Sequence, residues 1–185
     1  MPMFETRRFA LLARLSISFA GALILFAEPP QHGAGRVPTE KEIRALGITV
    51  APDGTGLPEG SGTAVEGREL FALRCAKCHG EKGEGDVGPA LVGGRGSLAT
   101  PKPRKTVGSF WPYATTLWDY IYRAMPFNEP GLLSNSQVYA AAAYVLYLND
   151  IVGQNEVLNA KTLPKIRMPN RDGFVPDSRP DVKRK

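Results

Sequence analysis

The 185-residue sequence predicts an all-α fold with three main helices, separated and flanked by irregular segments. Capping boxes, in which a Ser or Thr is followed three residues later by Glu or Gln, occur at Thr39, Thr63 and Ser134. Apolar residues recur at helical spacing in the second half, and no strand pattern is longer than a few residues. The 20 Gly and 16 Pro exceed usual composition, so we expect long irregular connections between the helices.

Residues 1–27 have the architecture of a signal peptide. Three arginines precede an apolar run over residues 15–27, and polar turn formers follow it. As a helix this run would rise only about 20 Å, less than the roughly 30 Å of a bilayer core. A cleaved leader is therefore favoured over a permanent anchor. We expect an exported, periplasmic protein with no permanent membrane span after the leader is removed.

Residues 28–62 are expected to form an N-terminal extension outside the core. The capping box of Thr39 and Glu42 predicts a short helix that ends at Gly47. Residues 51–58 consist almost entirely of turn-forming residues. This composition offers little apolar surface from which a core could be built.

The first main helix is predicted to begin at the capping box of Thr63 and Glu66 and to run into Cys75. Residues 79–108 show no sustained period and contain many glycines, so they are predicted to form a loop. The cysteines therefore lie where a helix ends and a long loop begins.

The two later helices are predicted from apolar spacing and from their ends. The middle helix should begin at Thr115 or Thr116 and stop at Pro126. The last should begin at Ser134 and reach Asn149. Residues 151–185 alternate charge with proline and show no apolar period, so we expect a C-terminal extension that cannot build a core of its own. On one face of the middle helix lie Leu117, Trp118, Ile121, Tyr122 and Met125.

Residues 75–79 spell C-x-x-C-H, the pattern that attaches haem through two thioethers and uses the adjacent histidine as an iron ligand. One helical turn presents both sulfurs to one porphyrin edge. A structural zinc site would need both cysteines and both histidines of the chain, including His32 in the extension. A redox dithiol is expected in a βαβ setting, which is not predicted here. The motif therefore predicts one covalent haem c, on Cys75, Cys78 and His79.

The second iron ligand is predicted to be a methionine, because a bis-histidine haem would need a further histidine. Beyond the leader, the candidates are Met125 and Met168, each followed by proline. Met125 lies 46 residues after His79, between the middle and last helices, where the chain can cross to the opposite haem face. Met168 lies in the tail and would have to return over a closed domain. Met125 is therefore preferred.

Seven of the twelve aromatic residues after position 27 fall within residues 110–127. This concentration just before Met125 favours a cofactor pocket wall, to which Trp111 and Tyr113 are assigned. A helix-and-loop core is the alternative explanation for part of it. Four cations in residues 95–105, without an acid among them, suit either a solvated loop or a docking rim and propionate clamp. They are Arg95, Lys102, Arg104 and Lys105.

The charge balance argues against a nucleic-acid partner. The formal net charge is +5, and it falls to +3 once the three Arg and one Glu of residues 1–27 are removed. Nucleic-acid binding calls for a concentrated basic face rather than so small an excess.

Residues 63–150 resemble the small cytochromes c. Gly67-x-x-x-Phe71-x-x-x-Cys75 is similar to the family's first helix, whose small residue lets the last helix cross closely. Gly88-Pro89-Ala90-Leu91 is similar to its loop below the haem. The resemblance implies a small cytochrome c fold around a covalent haem, with the Pro89 carbonyl accepting the His79 Nδ1 proton. It also implies that Tyr144 or Tyr147 is the aromatic partner of the first helix.

Four strings resemble the cytochrome subunit of the Sox sulfane dehydrogenase: PDGTGLPxGSG at 52–62, KTVGSFWPYATT at 105–116, RAMPF at 123–127 and RMPNxDGF at 167–174. The resemblance implies a molybdenum-containing dehydrogenase subunit as partner and a downstream cytochrome as acceptor. Subunits of that family usually carry two haem domains, whereas this sequence has one C-x-x-C-H. A related single-haem sulfite dehydrogenase is therefore the alternative complex.

The expected function is electron transfer by a non-catalytic subunit. A haem with two protein ligands has no open iron position, and no free cysteine would remain as a nucleophile. Residues 28–62 and 151–185 are expected to bind the partner. The alternatives are a freely diffusing cytochrome c without a dedicated partner, and a haem-bearing assembly subunit that does not turn over.

Overall fold

The structure is a computed structural model that describes residues 35–47 and 49–175, without the side chains of residues 44–46. The expected signal peptide, the beginning of the N-terminal extension with His32, and the last ten residues lie outside the described residues. Within the described part of the chain, no helix has both the length and the apolar character needed to cross a membrane.

The chain separates into two units, Met1–Ile43 and Arg44–Lys185. Helix α1, Glu40–Leu46, starts at the expected capping box. The Glu42 carboxylate accepts a hydrogen bond from the Thr39 N–H at 2.8 Å, and the Glu42 N–H donates to the Thr39 hydroxyl at 3.3 Å. Arg36 forms an ion pair with the same carboxylate.

The described part of the chain is mainly helical, as predicted. The helices after α1 are α2 (Ala64–Arg74), α3 (Ala76–His79), α4 (Ala114–Ala124) and α5 (Asn135–Leu148), followed by a 3-10 turn over Leu163–Lys165. Strands of two residues each, β1 (Ser61–Gly62) and β2 (Leu158–Asn159), pair antiparallel.

The ends of the helices follow local hydrogen bonding. Complete capping boxes start α2 at Thr63 and α5 at Ser134, as predicted. Helix α4 begins one residue earlier than the predicted range, because its N-cap Tyr113 is extended and makes no capping side-chain bond. Such a start leaves no polar signature in the sequence.

The core forms where α2 crosses α5. A Cβ atom at Gly67 would overlap the Ala140 carbonyl and would lie 2.8 Å from the Tyr144 Cβ, so only glycine allows this approach. The Phe71 and Tyr144 rings lie 5.2 Å apart, which identifies Tyr144 as the aromatic partner of α2. Trp118 of α4 is fully buried and completes this interior.

The segment after Asp150 contributes to the core that the helices form. Its buried side chains are at most 7% exposed, and they join the same apolar cluster as the helices. They lie five or six residues apart, which matches neither the helical nor the strand period, so no pattern in the sequence reveals their burial. Before α2, Val50 and Leu57 also pack partly buried against this cluster. The buried residues of the later segment are Val152, Leu158, Leu163 and Met168.

Candidate haem site

The C-x-x-C-H motif lies across the junction of α2 and α3. Cys75 is the C-cap of α2, and its N–H donates to the Phe71 carbonyl at 2.8 Å. Cys78 is exposed and Cys75 is partly buried, while the imidazole of His79 is buried at 8% exposure. The motif thus has one exposed cysteine, one partly buried cysteine and a buried histidine.

The His79 ring is held by the loop that follows it. Its Nδ1 lies 2.7 Å from the Pro89 carbonyl oxygen, which can only accept a hydrogen bond. The proton is therefore on Nδ1, and the Nε2 lone pair is left for a metal. A Cβ at Gly88 would lie 3.2 Å from His79 Cε1, so glycine allows the loop to pass this close. The hydrogen bond implied by the cytochrome c resemblance is present.

Asn149, at the end of α5, anchors the same loop. Its side-chain Nδ2 donates to the Leu91 carbonyl at 3.2 Å, and its Oδ1 accepts from the Gly93 N–H at 3.2 Å. Its backbone carbonyl accepts from Arg95 at 2.9 Å. The sequence analysis assigned Asn149 only as a helix end, and its hydrogen bonds to a loop more than fifty residues away leave no pattern in the sequence.

Partly buried apolar side chains of the motif, of the helix before it, of the loop after it and of the α4 region pack against the core. Side chains that are backed by a core but incompletely covered suit the lining of a site for a large flat apolar group such as haem. The residues are Leu70, Cys75, Ala76, Leu91, Trp111, Tyr122 and Met125.

The two aromatic residues assigned to the haem have different surroundings. Trp111 meets Tyr120 edge-on, with 5.7 Å between the ring centroids, and it is partly buried against the core. Tyr113 lies under the guanidinium of Arg171, whose Cζ is 4.3 Å from the ring centroid. The haem-binding roles of Trp111 and Tyr113 stay predictions.

Helix α4 also carries two buried polar atoms without a partner among the described residues, Thr115 Oγ1 and Trp118 Nε1. Buried donors of this kind are costly unless they are hydrogen-bonded. The residues are three apart and therefore lie on the same side of the helix. A haem carries two propionates, which are strong acceptors, so this donor pair fits the group. Thr115 was predicted only as a possible helix start.

Burial and, to a smaller extent, the neighbouring Cys78 raise the pKa of the Cys75 thiol to about 11. Cys75 is therefore a protonated thiol near neutral pH, unlike the thiolates of metal sites and nucleophilic cysteines. Within the described residues, no three His, Cys, Asp or Glu side chains cluster so that they could hold a metal ion.

The two candidate methionine ligands differ in burial. Met125 ends α4, with its N–H bonded to the Ile121 carbonyl at 3.1 Å, and its side chain is partly buried against the core. Met168 is 1% exposed and lies within the core. Met125 as an iron ligand stays a prediction.

Of the four cations in residues 95–105, two donate hydrogen bonds to backbone carbonyls. Arg95 donates to the Asn149 carbonyl, and Arg104 donates to the Glu84 carbonyl at 3.0 Å. The Lys105 ammonium lies 4.9 Å from the Phe110 ring centroid, and Lys102 is exposed. None of them makes an ion pair within the described part of the chain. Solvated loop and docking rim both stay open as interpretations.

Comparison with known proteins confirms the predicted small cytochrome c fold. The cytochrome c family model matches residues 64–149. The crystal structure of the sulfane dehydrogenase SoxCD from Paracoccus pantotrophus superposes with a TM-score of 0.74 at 45% identity, covering 82% of this chain and 75% of that chain.

Two curated thiosulfate dehydrogenases also match the chain. The one from Stutzerimonas stutzeri is 27% identical over 111 residues, which is 58% of this chain and 33% of the relative. The one from Psychrobacter arcticus is 29% identical over 110 residues, which is 54% of this chain and 31% of the relative. The chain therefore spans about a third of the length of these curated relatives.

Proposed function

The chain belongs to the cytochromes c of the Sox-type dehydrogenases, and from this we propose that it is a periplasmic, monohaem electron-transfer subunit. It would accept electrons from a molybdenum-containing dehydrogenase subunit that oxidises sulfur compounds, and pass them to a downstream cytochrome. The chain itself would carry out no chemistry on sulfur.

The observation that carries this proposal is the His79–Pro89 hydrogen bond beside the two cysteines of the motif. Haem c, when bound, supplies a one-electron redox couple. The chain would hold it through Cys75 and Cys78, and His79 would offer Nε2 with its orientation fixed by Pro89. A carbonyl partner strengthens a histidine ligand. Met125 would fill the remaining position and leave no site for substrate on the iron.

Exposed apolar side chains near the site support docking of a protein partner. Leu73 lies two residues before Cys75, Val87 two residues before Pro89, and Phe127 two residues after Met125. Each of these three apolar side chains is at least 80% exposed. Large apolar side chains that stay in water so close to a redox site are typical of an interaction surface.

A freely diffusing cytochrome c is the second candidate, and one observation favours it. Much of the C-terminal extension packs onto the core of its own chain, with Leu158, Leu163 and Met168 buried. The long extension therefore does not by itself require a dedicated partner.

We expect one covalent haem per chain, because residues 75–79 contain both cysteines of the sequence. Acid–acetone extraction should leave the haem on the protein, and intact mass should show one haem added. Changing Cys75 and Cys78 together to alanine should make the haem extractable. Extractable haem in the unaltered protein, or two haems by mass, would contradict the proposal.

We expect the haem to be reduced when the chain is mixed with its molybdenum-containing subunit and a reduced sulfur compound. The rate should fall about tenfold or more in Phe127→Glu, since a charge in an apolar interface costs at least 1–2 kcal/mol. The matched control is Val65→Glu, at a 51% exposed position near the start of α2, which should keep the normal rate. Rapid reduction by small reagents together with indifference to the molybdenum subunit would favour the freely diffusing carrier.

A further inference from the structure

The C-terminal arm, defined as residues 167–174, lies against the chain just before α4. The Asn170 Nδ2 donates to the Phe110 carbonyl at 2.7 Å, across 60 residues of sequence. A Cβ at Gly173 would overlap the Asn170 Oδ1, so the arm folds tightly around this amide. Met168, at 1% exposure, fixes the beginning of the arm in the core.

Two ring contacts accompany the hydrogen bond. The Arg171 Cζ lies 4.3 Å from the centroid of the Tyr113 ring, within the range of a cation–π interaction. The Phe174 ring meets the Phe110 ring edge-on at 5.2 Å. The arm therefore holds residues 110–113 at both ends. Asn170 and Phe174 contact Phe110 at one end, and Arg171 contacts Tyr113 at the other.

Apart from the arm, residues 110–113 are held by the Phe110 N–H, which donates to the Thr106 carbonyl at 3.0 Å, and by the Trp111–Tyr120 ring contact. Tyr113 is the N-cap of α4, and it makes no capping hydrogen bond. Trp111, between the two held residues, is partly buried against the core and is the predicted wall of the haem pocket. The same helix carries the unpartnered donors Thr115 and Trp118 in its first turns and reaches Met125 at its end.

We propose that Asn170 and Arg171 are positioning residues for the haem pocket. They fix residues 110–113, and through them the Trp111 wall and the first turn of α4, so that the pocket excludes water on this side. This inference rests on the proposed haem-binding function. It assigns the arm to the redox site of its own chain, whereas the sequence analysis assigned residues 151–185 to partner binding.

The reason for an effect on the haem is electrostatic. Water near a haem stabilises the more highly charged oxidised form, and burial is one of the levers by which a protein sets the reduction potential. If the arm is released, residues 110–113 lose one hydrogen bond and a cation–π contact, both of which hold them in place. Solvent would then reach the Trp111 side of the pocket.

The test uses the full-length haem-loaded protein and the variants Asn170→Ala and Arg171→Ala. At a fixed electrode potential, each should lower the ratio of reduced to oxidised haem by about 2- to 10-fold, as expected from the loss of one such interaction. Amide hydrogen exchange in the first turn of α4 should be faster in both. Arg171→Lys, which keeps the cation over Tyr113, should recover part of the loss.

The matched control is Arg167→Ala in the same arm. Arg167 is 79% exposed and pairs with the exposed Asp172, without contacting residues 110–113, so its removal should change neither readout. The inference is overturned if Asn170→Ala and Arg171→Ala match Arg167→Ala in haem equilibrium and exchange. It is also overturned if they change only the affinity for the molybdenum subunit.

Hydrogen exchange separates failure of this inference from failure of the proposed function. If the unaltered protein carried no covalent haem, the proposed function would fail, but the exchange of α4 in the two variants would still report on the arm. Unchanged exchange would then refute the arm's positioning role independently.

Discussion

Changing Met125 to alanine is expected to abolish the sulfur-to-iron charge-transfer band of the oxidised protein and to lower its reduction potential. A thioether ligand raises the potential of a haem, and losing it leaves the iron to water or to a weaker ligand. The covalent attachment should persist, because Cys75 and Cys78 are unchanged. Absorbance of the oxidised protein and a redox titration measure both effects.

The matched variant is Met168→Ala, which should keep the band and the potential but lose stability. The Met168 side chain is 1% exposed in the core, and truncation of a buried methionine typically costs about 2–5 kcal/mol. Denaturant unfolding measures this loss, and Met168→Leu, which conserves volume, should cost less than about 1.5 kcal/mol. If the band instead disappears in Met168→Ala and survives in Met125→Ala, the tail supplies the ligand.

Changing Gly67 to alanine should destabilise the fold by about 3 kcal/mol or more, although alanine favours an isolated helix by about 1 kcal/mol. The added Cβ would overlap the Ala140 carbonyl, which belongs to helix backbone and cannot rotate away. The α2–α5 crossing would have to widen, and the Phe71–Tyr144 contact would weaken. Denaturant unfolding followed by circular dichroism gives the change in free energy.

Gly153→Ala is the control for this substitution. No atom lies within 4 Å of the position that its Cβ would take, and its φ is not in the left-handed region. Its stability should stay within about 0.5 kcal/mol of the unaltered protein. Equal stability of Gly67→Ala and Gly153→Ala would show that the helices do not cross at Gly67.

The helices that could be predicted from the sequence are those with local causes. The boxes at Thr63 and Ser134 are each closed by a residue three positions away, so both helix starts are visible in a short window. Helix α4 starts without such a residue, and its start was predicted one position late. The buried residues after Asp150 follow no period, so the sequence analysis missed their place in the core.

In the candidate site, too, the residues close together in sequence could be predicted and the contacts between distant residues could not. Cys75, Cys78 and His79 form one local motif, and the Pro89 contact was accessible through resemblance because the loop lies ten residues away. The hydrogen bonds of Asn149 to the loop and of Asn170 to Phe110 join residues 56 to 60 positions apart. Pairings at that distance depend on the completed fold, and a single sequence contains no spacing rule for them.

The crossing of α2 with α5 and the pairing of β1 with β2 also set how much of the chain must be present before it can fold. Phe71 lacks its ring contact until the chain as far as Tyr144 is available, and Gly62 lacks its strand partner until Leu158 follows. Contacts that join residues so far apart in sequence form late, so most of the chain must be available before the core can close. Throughout that interval the thiols of Cys75 and Cys78 lie in an unpacked chain, open to chemical attachment before Cys75 becomes partly buried.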